Sequence, residues 1–154
     1  MVSEPISIAL AACIVSTAVI GGVFFAFSSF VMPALARIAP AEGVRAMQSI
    51  NIAAVHRVLM LPLFGTAVLT ITVLVLRFGN MWVALGGATY LIGVLGVTLV
   101  ANVPRNNLLA AVDTRTPNHD AVWRHYVAGW IRWNHIRTAA AVVSSAAHLA
   151  AYTT

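Results

Sequence analysis

The feature that most constrains this chain is a series of apolar runs, each about twenty residues long and almost free of charge. A helix of about twenty residues crosses the roughly 30 Å hydrocarbon core of a bilayer. Of the 154 residues, 60% are hydrophobic and only 8% are charged, whereas an average soluble domain is about a quarter charged. Because this number of polar groups is too small to cover the surface of a soluble bundle, the sequence predicts an integral membrane protein.

The predicted fold class is all-α: a four-span transmembrane helical bundle, with helices 2 and 4 extended on the cytoplasmic side. The chain is expected to form a single domain covering residues 1–154, because its length suits one compact unit. The apolar runs place the spans at about residues 6–32, 58–76, 81–101 and 134–152.

Proline and threonine residues indicate where the helices begin and end. Pro40 suits the first turn of the second helix, which we expect to run without a break to about residue 76, with a kink at Pro62. Pro104 is expected to end or bend the third helix. Thr116 is expected to cap the fourth helix, with Pro117 at its first position.

The basic residues predict the orientation. All nine are arginines, and eight lie in or beside the first and third connections, against one, Arg77, in the second. The first and third connections share a side, so the positive-inside rule places that side in the cytoplasm and both termini outside. The predicted localisation is the cell membrane, multi-pass. Arginines between apolar spans indicate the lipid bilayer as partner and no nucleic acid.

Polar and aromatic side chains are expected to meet at the cytoplasmic half of the bundle. At about 100° per residue, one stripe of the last helix falls within roughly 60° and carries aromatic residues followed by Asn134 and Arg137. One interpretation is an interfacial aromatic belt with a snorkelling arginine. The other is an inward stripe that lines a pocket for a flat aromatic ligand, which the pairing of Asn134 with Arg137 favours. The stripe comprises Trp123, Tyr126, Trp130, Asn134 and Arg137.

Two asparagines near the end of the third span leave alternatives open. Asn102 and Asn106 share a helix face if the helix continues past Pro104. Otherwise they cap backbone groups that the proline frees.

The metal-binding residues are sparse. The chain has five histidines, four acidic residues and one cysteine. No two histidines have the spacing of helical ligand pairs, and no acidic residue lies within a span, which excludes a carboxylate-bridged di-iron bundle. We therefore predict no metal site. A haem or copper site formed by His56 with His125 or His135 stays an alternative.

Four segments carry a family resemblance. They are GGVFFAFSSFVMPAL at 21–35, MQSIN at 47–51, NVPRNNLLA at 102–110 and WNHIRT at 133–138, joined by Trp123, Tyr126 and Trp130. Together they resemble the anthrone-oxygenase-like family of small four-helix integral membrane proteins, over nearly the whole chain. The resemblance implies a four-helix membrane fold. It also implies oxygenase activity, since fungal relatives oxidise anthrones to anthraquinones in polyketide pathways. His56 lies outside the family pattern.

The leading functional prediction is a membrane oxygenase that oxidises an anthrone-like or phenolic aromatic substrate with O2 as co-substrate and without a cofactor. The alternatives are a non-catalytic protein that binds or helps transport lipophilic aromatics, a structural membrane protein, and a haem- or copper-binding protein. The expected partners are a small aromatic substrate and the bilayer; association with further copies of the chain stays open.

The predicted catalytic residues have separate roles. His135 is the first choice of base and His56 the second, because imidazole titrates nearest neutrality. Arg137 stabilises the substrate anion, and Asn134 and Asn106 donate hydrogen bonds to it. The predicted substrate-binding residues are Trp130, Tyr126, Asn102, Asn106, Asn51 and Ser28.

Overall fold

The structure, a computed structural model, describes residues 4–154, and every regular element in that range is helical. The all-α prediction is therefore confirmed. We number five continuous helices in chain order. They are α1 (Glu4–Leu35), α2 (Pro40–Ala54), α3 (Arg57–Leu76), α4 (Met81–Ala110) and α5 (His119–Thr153).

Three of these helices, α1, α3 and α4, are long and apolar enough to cross a membrane. Their presence supports membrane association. Helix α5 is not among them, because polar side chains such as Arg137, Ser144 and His148 lower the mean hydropathy of its apolar half.

Helix α5 lies at the centre of the bundle, where it packs against α1 and α4, and α1 also packs against α3. Small residues allow the close approach that membrane helices need. A Cβ atom added at Gly93 of α4 would lie only 2.5 Å from the Cβ of Ala140 on α5. A Cβ atom at Gly21 of α1 would lie 3.0 Å from that of Ala141.

The second predicted helix is in fact two helices, so the prediction of an unbroken helix from Pro40 was wrong. Helix α2 ends at Ala54, and His56 adopts an extended backbone before α3 begins. The reason lies in tertiary packing. Helix α2 packs against the C-terminal segment of α4 and the first half of α5, and Gln48 Nε2 donates to the Leu109 carbonyl oxygen at 2.9 Å. The break allows α2 to lie there while α3 continues across the apolar bundle.

Helix α4 continues past Pro104, so of the two alternatives, an end or a bend at this proline, the end is wrong. Two π-helical segments, Thr89–Gly96 and Thr98–Asn102, precede the proline, and an α-helical segment, Val103–Ala110, follows. Pro104 therefore occupies the first turn of that segment, where its missing N–H is tolerated. Asn102 and Asn106 lie on one continuous helix as a result.

Helix α5 begins two residues later than predicted, because Thr116 is used in the preceding turn. Its hydroxyl donates to the Asp113 carbonyl oxygen at 2.7 Å and to Asn118 Oδ1 at 3.0 Å. Asn118, and not Thr116, directly precedes the helix. In the same turn, the Arg115 guanidinium hydrogen-bonds the Asp113 carboxylate and holds its pKa below the ordinary value.

Candidate functional site

An apolar cleft of about 170 Å³ lies among all five helices, in the half of the bundle where α2 packs. Trp130 and Arg137 of α5 line it from inside. Two of its apolar lining residues are about half exposed, Phe64 of α3 at 46% and Leu99 of α4 at 48%. Both belong to helices that are able to cross a membrane, so this side of the cleft opens on a surface that lipid would cover. The other polar lining residues are Asn51, Thr98 and Asn106.

Arg137 places a buried positive charge at the cleft. Only 5% of the residue is exposed. Its Nη2 group donates to Asn134 Oδ1 at 2.6 Å and its Nη1 group donates to Thr98 Oγ1 at 3.3 Å, while its Nε is buried without a partner. The guanidinium carbon lies 4.1 Å from the ring centroid of Phe24 and 5.3 Å from that of Trp130. Neutral amide, hydroxyl and aromatic groups therefore surround this cation.

No acidic residue compensates the charge of Arg137. Within residues 4–154, the ion pairs join Arg115 to Asp113 and His119 to Asp120. A buried charge without an opposite charge is costly. An anion that enters the cleft would gain from this arrangement.

Asn134 holds Arg137 in place. It is fully buried, and its Nδ2 group donates to the Phe24 carbonyl oxygen and to Ser28 Oγ, both at 2.6 Å. Because a guanidinium can only donate, the amide oxygen must face Arg137. Ser28 lies in a π-helical turn of α1, Phe27–Val31. Asn134 thus connects α1 to the cation and does not itself line the cleft.

Asn106 organises the aromatic side of the site. Its Oδ1 accepts hydrogen bonds from the Tyr126 hydroxyl at 2.9 Å and from Trp130 Nε1 at 3.0 Å. Indole N–H only donates, so the Asn106 amide oxygen must point to the rings and its Nδ2 group is left to donate elsewhere. Burial raises the pKa of Tyr126 above its ordinary value, which keeps its hydroxyl protonated.

The sequence profile of the anthrone oxygenase family matches residues 50–147, which is more than half of the chain. The chain belongs to the anthrone oxygenase family. No curated protein and no solved structure matches the chain significantly. Of the residues just described, Asn106, Trp130, Asn134 and Arg137 lie inside the segment that the anthrone oxygenase profile matches, and Phe24 lies before it.

The aromatic stripe of this anthrone oxygenase family member faces inward. Trp123, Tyr126, Trp130, Asn134 and Arg137 are each at most 5% exposed. The interfacial belt, one of the two interpretations of the sequence, is therefore wrong for these residues. Periodicity within a single helix was enough to group them, because they share a face whatever that face packs against.

The structure brings most of the predicted binding residues to the site. Asn51, Asn106, Trp130 and Arg137 line the cleft. The Nδ2 group of Asn51 is buried without a partner, and so are both amide atoms of Asn102. Tyr126, Asn134 and Ser28 are buried directly behind the lining, where they form the hydrogen bonds given above.

The structure does not bring the two predicted bases to the site. His56 lies in the exposed break between α2 and α3, and His135 lies on an exposed face of α5. Neither side chain lines the cleft. His125, the other histidine of the haem or copper alternative, is also exposed. Among the described residues, no three His, Cys, Asp or Glu side chains are grouped as metal ligands would be.

Two residues of the site were not predicted from the sequence. Thr98 accepts a hydrogen bond from Arg137, and the Phe24 ring lies against the guanidinium. Thr98 precedes Asn102 by four positions and Asn106 by eight, so helical spacing could have grouped it with them. Phe24 belongs to an unbroken apolar run, and no local signal distinguishes it from its neighbours.

Proposed function

We propose that this protein is a membrane oxygenase that oxidises a planar anthrone-like or phenolic aromatic substrate with O2 and without a cofactor. One observation carries the proposal. Arg137 is buried without an acidic partner, lies against the Phe24 and Trp130 rings, and lines an apolar cleft. Membership of the anthrone oxygenase family supports the reaction class. The half-exposed apolar residues Phe64 and Leu99 suit a substrate that arrives from the bilayer.

The chemistry of anthrones fits such a cleft. An anthrone has an acidic methylene group between two rings, and loss of its proton gives a delocalised anion. That anion can pass an electron to O2, and recombination with the reduced oxygen followed by loss of water gives the quinone. One anthrone and one O2 thus yield one anthraquinone and one water. The protein must hold the flat rings and stabilise the oxyanion, which is a role for Arg137 and the free Nδ2 donor of Asn106.

The test is a direct assay of purified protein with anthrone and O2, in which O2 consumption and quinone absorbance are measured. Use of labelled O2 should place one labelled atom in the quinone. Removal of one oxyanion donor typically lowers the rate by about 10²–10³, so Arg137→Ala should lose at least this much. Lysine at this position should rescue only partly, because it lacks the planar fork.

The matched control is Arg132→Ala, which removes an exposed arginine from the same helix. It should oxidise anthrone at the wild-type rate. Near-normal turnover by a folded Arg137→Ala variant would contradict the mechanism.

The second candidate is a non-catalytic protein that binds or helps transport lipophilic aromatics. The side of the cleft that opens at Phe64 and Leu99 favours this candidate, because it would admit a ligand without any chemistry. Binding of anthrone with no O2 consumption above the uncatalysed rate would select it. A stoichiometric transition metal, or a haem absorption band that tracks activity, would instead select the metal-dependent alternative.

We further propose that the second half of α5 forms a fourth span, that both termini face outside, and that the protein is a multi-pass protein of the cell membrane. The arginine asymmetry supports this orientation, with eight arginines beside the first and third connections and one in the second. The central position of α5 between α1 and α4, which are both able to cross a membrane, supports the fourth span.

A further inference from the structure

We propose that the cleft binds its aromatic ligand as an anion, and that the charge of Arg137, without a protein base, causes the ligand to lose its proton to solvent. This inference rests on the proposed function for the planarity of the substrate. It narrows the substrate class to weakly acidic aromatics, with a phenolic hydroxyl or an activated methylene. The balance is simple: the neutral ligand binds, an O–H or C–H bond breaks, its electron pair stays on the ligand, and the proton goes to water.

The site carries a positive charge that no neighbouring group compensates. The groups within contact of the guanidinium come from three helices and are neutral: Phe24 of α1, Thr98 of α4, and Asn134 and Trp130 of α5. With Nε buried and unpartnered as well, the site has a free donor and an uncompensated positive charge. A neutral ligand with an oxygen acceptor would satisfy the free donor but not the charge, whereas an anion satisfies both.

The buried titratable groups on the helices packed around Arg137 each have a partner. Cys13 of α1 lies against Thr70, and the Tyr90 hydroxyl of α4 donates to the Leu63 carbonyl oxygen. Tyr126 of α5 donates to Asn106. Each of these three side chains has a neutral hydrogen-bond partner and is itself protonated at neutral pH.

The remaining charged groups on these helices lie elsewhere. On α5, His119 pairs with Asp120, and His148 is buried against Ser144. The other charged or titratable residues of the first half of α5 are exposed: Arg124, His125, Arg132 and His135. Arg105 of α4 donates to the Ala101 carbonyl oxygen and stacks on Trp133, and Glu4 of α1 is exposed. On α2, Glu42 and Arg45 are exposed, as is Arg57 at the start of α3. None of these residues lines the cleft.

The described residues that line the cleft include no proton acceptor. Among the described residues, the polar side chains that line it belong to Asn51, Thr98, Asn106, Trp130 and Arg137. None of these side chains accepts a proton near neutral pH. The proton must therefore leave to water at the break between α2 and α3, where the exposed residue Val55 lines the cleft. The site must also lower the pKa of the ligand itself.

The size of the effect follows from the distance of the charge. An opposite charge within about 4–6 Å lowers the pKa of an acid by about 1–3 units. An anion that contacts Arg137 from within the cleft would lie at this distance from the guanidinium. The anion should therefore bind about 10- to 1,000-fold more tightly than the neutral form of the same ligand.

The test measures the pKa of a bound ligand without any turnover. The probe is a hydroxyanthraquinone dye, whose neutral and ionised forms have different visible spectra and which is already oxidised. The dye is titrated with pH in the presence of full-length detergent-solubilised protein, and in empty micelles. Wild-type protein should lower its pKa by about 1–3 units relative to Arg137→Gln. Arg137→Lys should keep most of this shift, and Arg132→Gln all of it.

A second variant covers the case in which Arg137→Gln does not fold. Asn134→Asp places a carboxylate where the amide oxygen now accepts from Arg137 at 2.6 Å, so it cancels the charge and leaves the guanidinium in place. The Ser28 hydroxyl can turn to donate to the second carboxylate oxygen, and only the hydrogen bond to the Phe24 carbonyl oxygen is lost. It should abolish the shift in dye pKa as well.

An equal dye pKa in the wild type and in either folded charge-cancelling variant would overturn the proposal. Failure of the wild type to bind the dye would also overturn it. Because the assay involves no oxidation, ionisation of the dye by a protein that cannot oxidise anthrone would refute the proposed oxygenase and leave this inference standing.

Discussion

Replacement of Asn134 by alanine tests how the site is held together. The substitution removes the acceptor of Arg137 Nη2 and the donor to the Phe24 carbonyl oxygen and Ser28 Oγ, three contacts of 2.6 Å each. Loss of a partner to a buried charged group costs about 1.5–3 kcal/mol, and loss of a neutral hydrogen bond costs about 1 kcal/mol. Because the Phe24 carbonyl oxygen and Ser28 Oγ each lose a donor as well, we expect a total loss of about 3.5–5 kcal/mol.

The expected loss should leave a folded protein, because a domain typically has about 5–15 kcal/mol of stability. Thermal unfolding of the detergent-solubilised protein, followed by circular dichroism, should show a clearly lower midpoint for Asn134→Ala. Anthrone oxidation below that midpoint should fall by about 10²–10³, because Arg137 is no longer fixed at the cleft. Arg132→Ala, on an exposed face of the same helix, serves as control for both measurements.

Two results would refute this reasoning. A wild-type unfolding midpoint for Asn134→Ala would mean that the three hydrogen bonds do not hold α5 to α1 and to the cation. A lower midpoint with wild-type turnover would mean that the position of Arg137 does not matter for the reaction. Each result contradicts a different step, so the midpoint and the rate must both be measured.

Two further predictions concern the topology and the packing of α2. Reporter fusions at residue 154 and within 105–118 should report opposite sides of the membrane, and a common side would contradict the four-span arrangement. Gly43→Ala should cost about 1–3 kcal/mol of unfolding free energy, as overpacking does, because its Cβ would lie 2.7 Å from the Trp123 ring. The control is Gly22→Ala, whose added Cβ meets nothing within 4 Å and which should stabilise its helix by up to about 1 kcal/mol. Equal thermal midpoints for the Gly43→Ala and Gly22→Ala variants would contradict the packing of α2 on α5.

Properties that depend on neighbouring residues in the chain could be predicted well. The apolar runs indicate α1, α3 and α4, since a helix satisfies its own backbone in an apolar environment. The common face of the stripe that ends at Arg137 follows from a rotation of about 100° per residue. The same local rule places His135 roughly 100° from Asn134, and its exposure in the structure agrees with that angle.

Helix boundaries were less predictable, because distant contacts decide them. The break before α3 follows the docking of α2 through Gln48 on Leu109, 61 residues away in the chain. The late start of α5 follows the use of Thr116 by Asp113. Pro104 is tolerated because π-helical turns precede it. None of these features has a signal in the hydrophobic pattern.

The sequence by itself determined the helical class, the apolar segments, the family and the set of polar residues that could meet at one depth, because composition and periodicity are local properties. Only the tertiary structure decided which of these residues form a site. Arg137 receives its neighbours from α1 and α4 as well as from its own helix, and the cleft excludes both predicted bases. A buried charge and its missing counter-charge are properties of the whole packed bundle, since burial depends on every helix that surrounds the group.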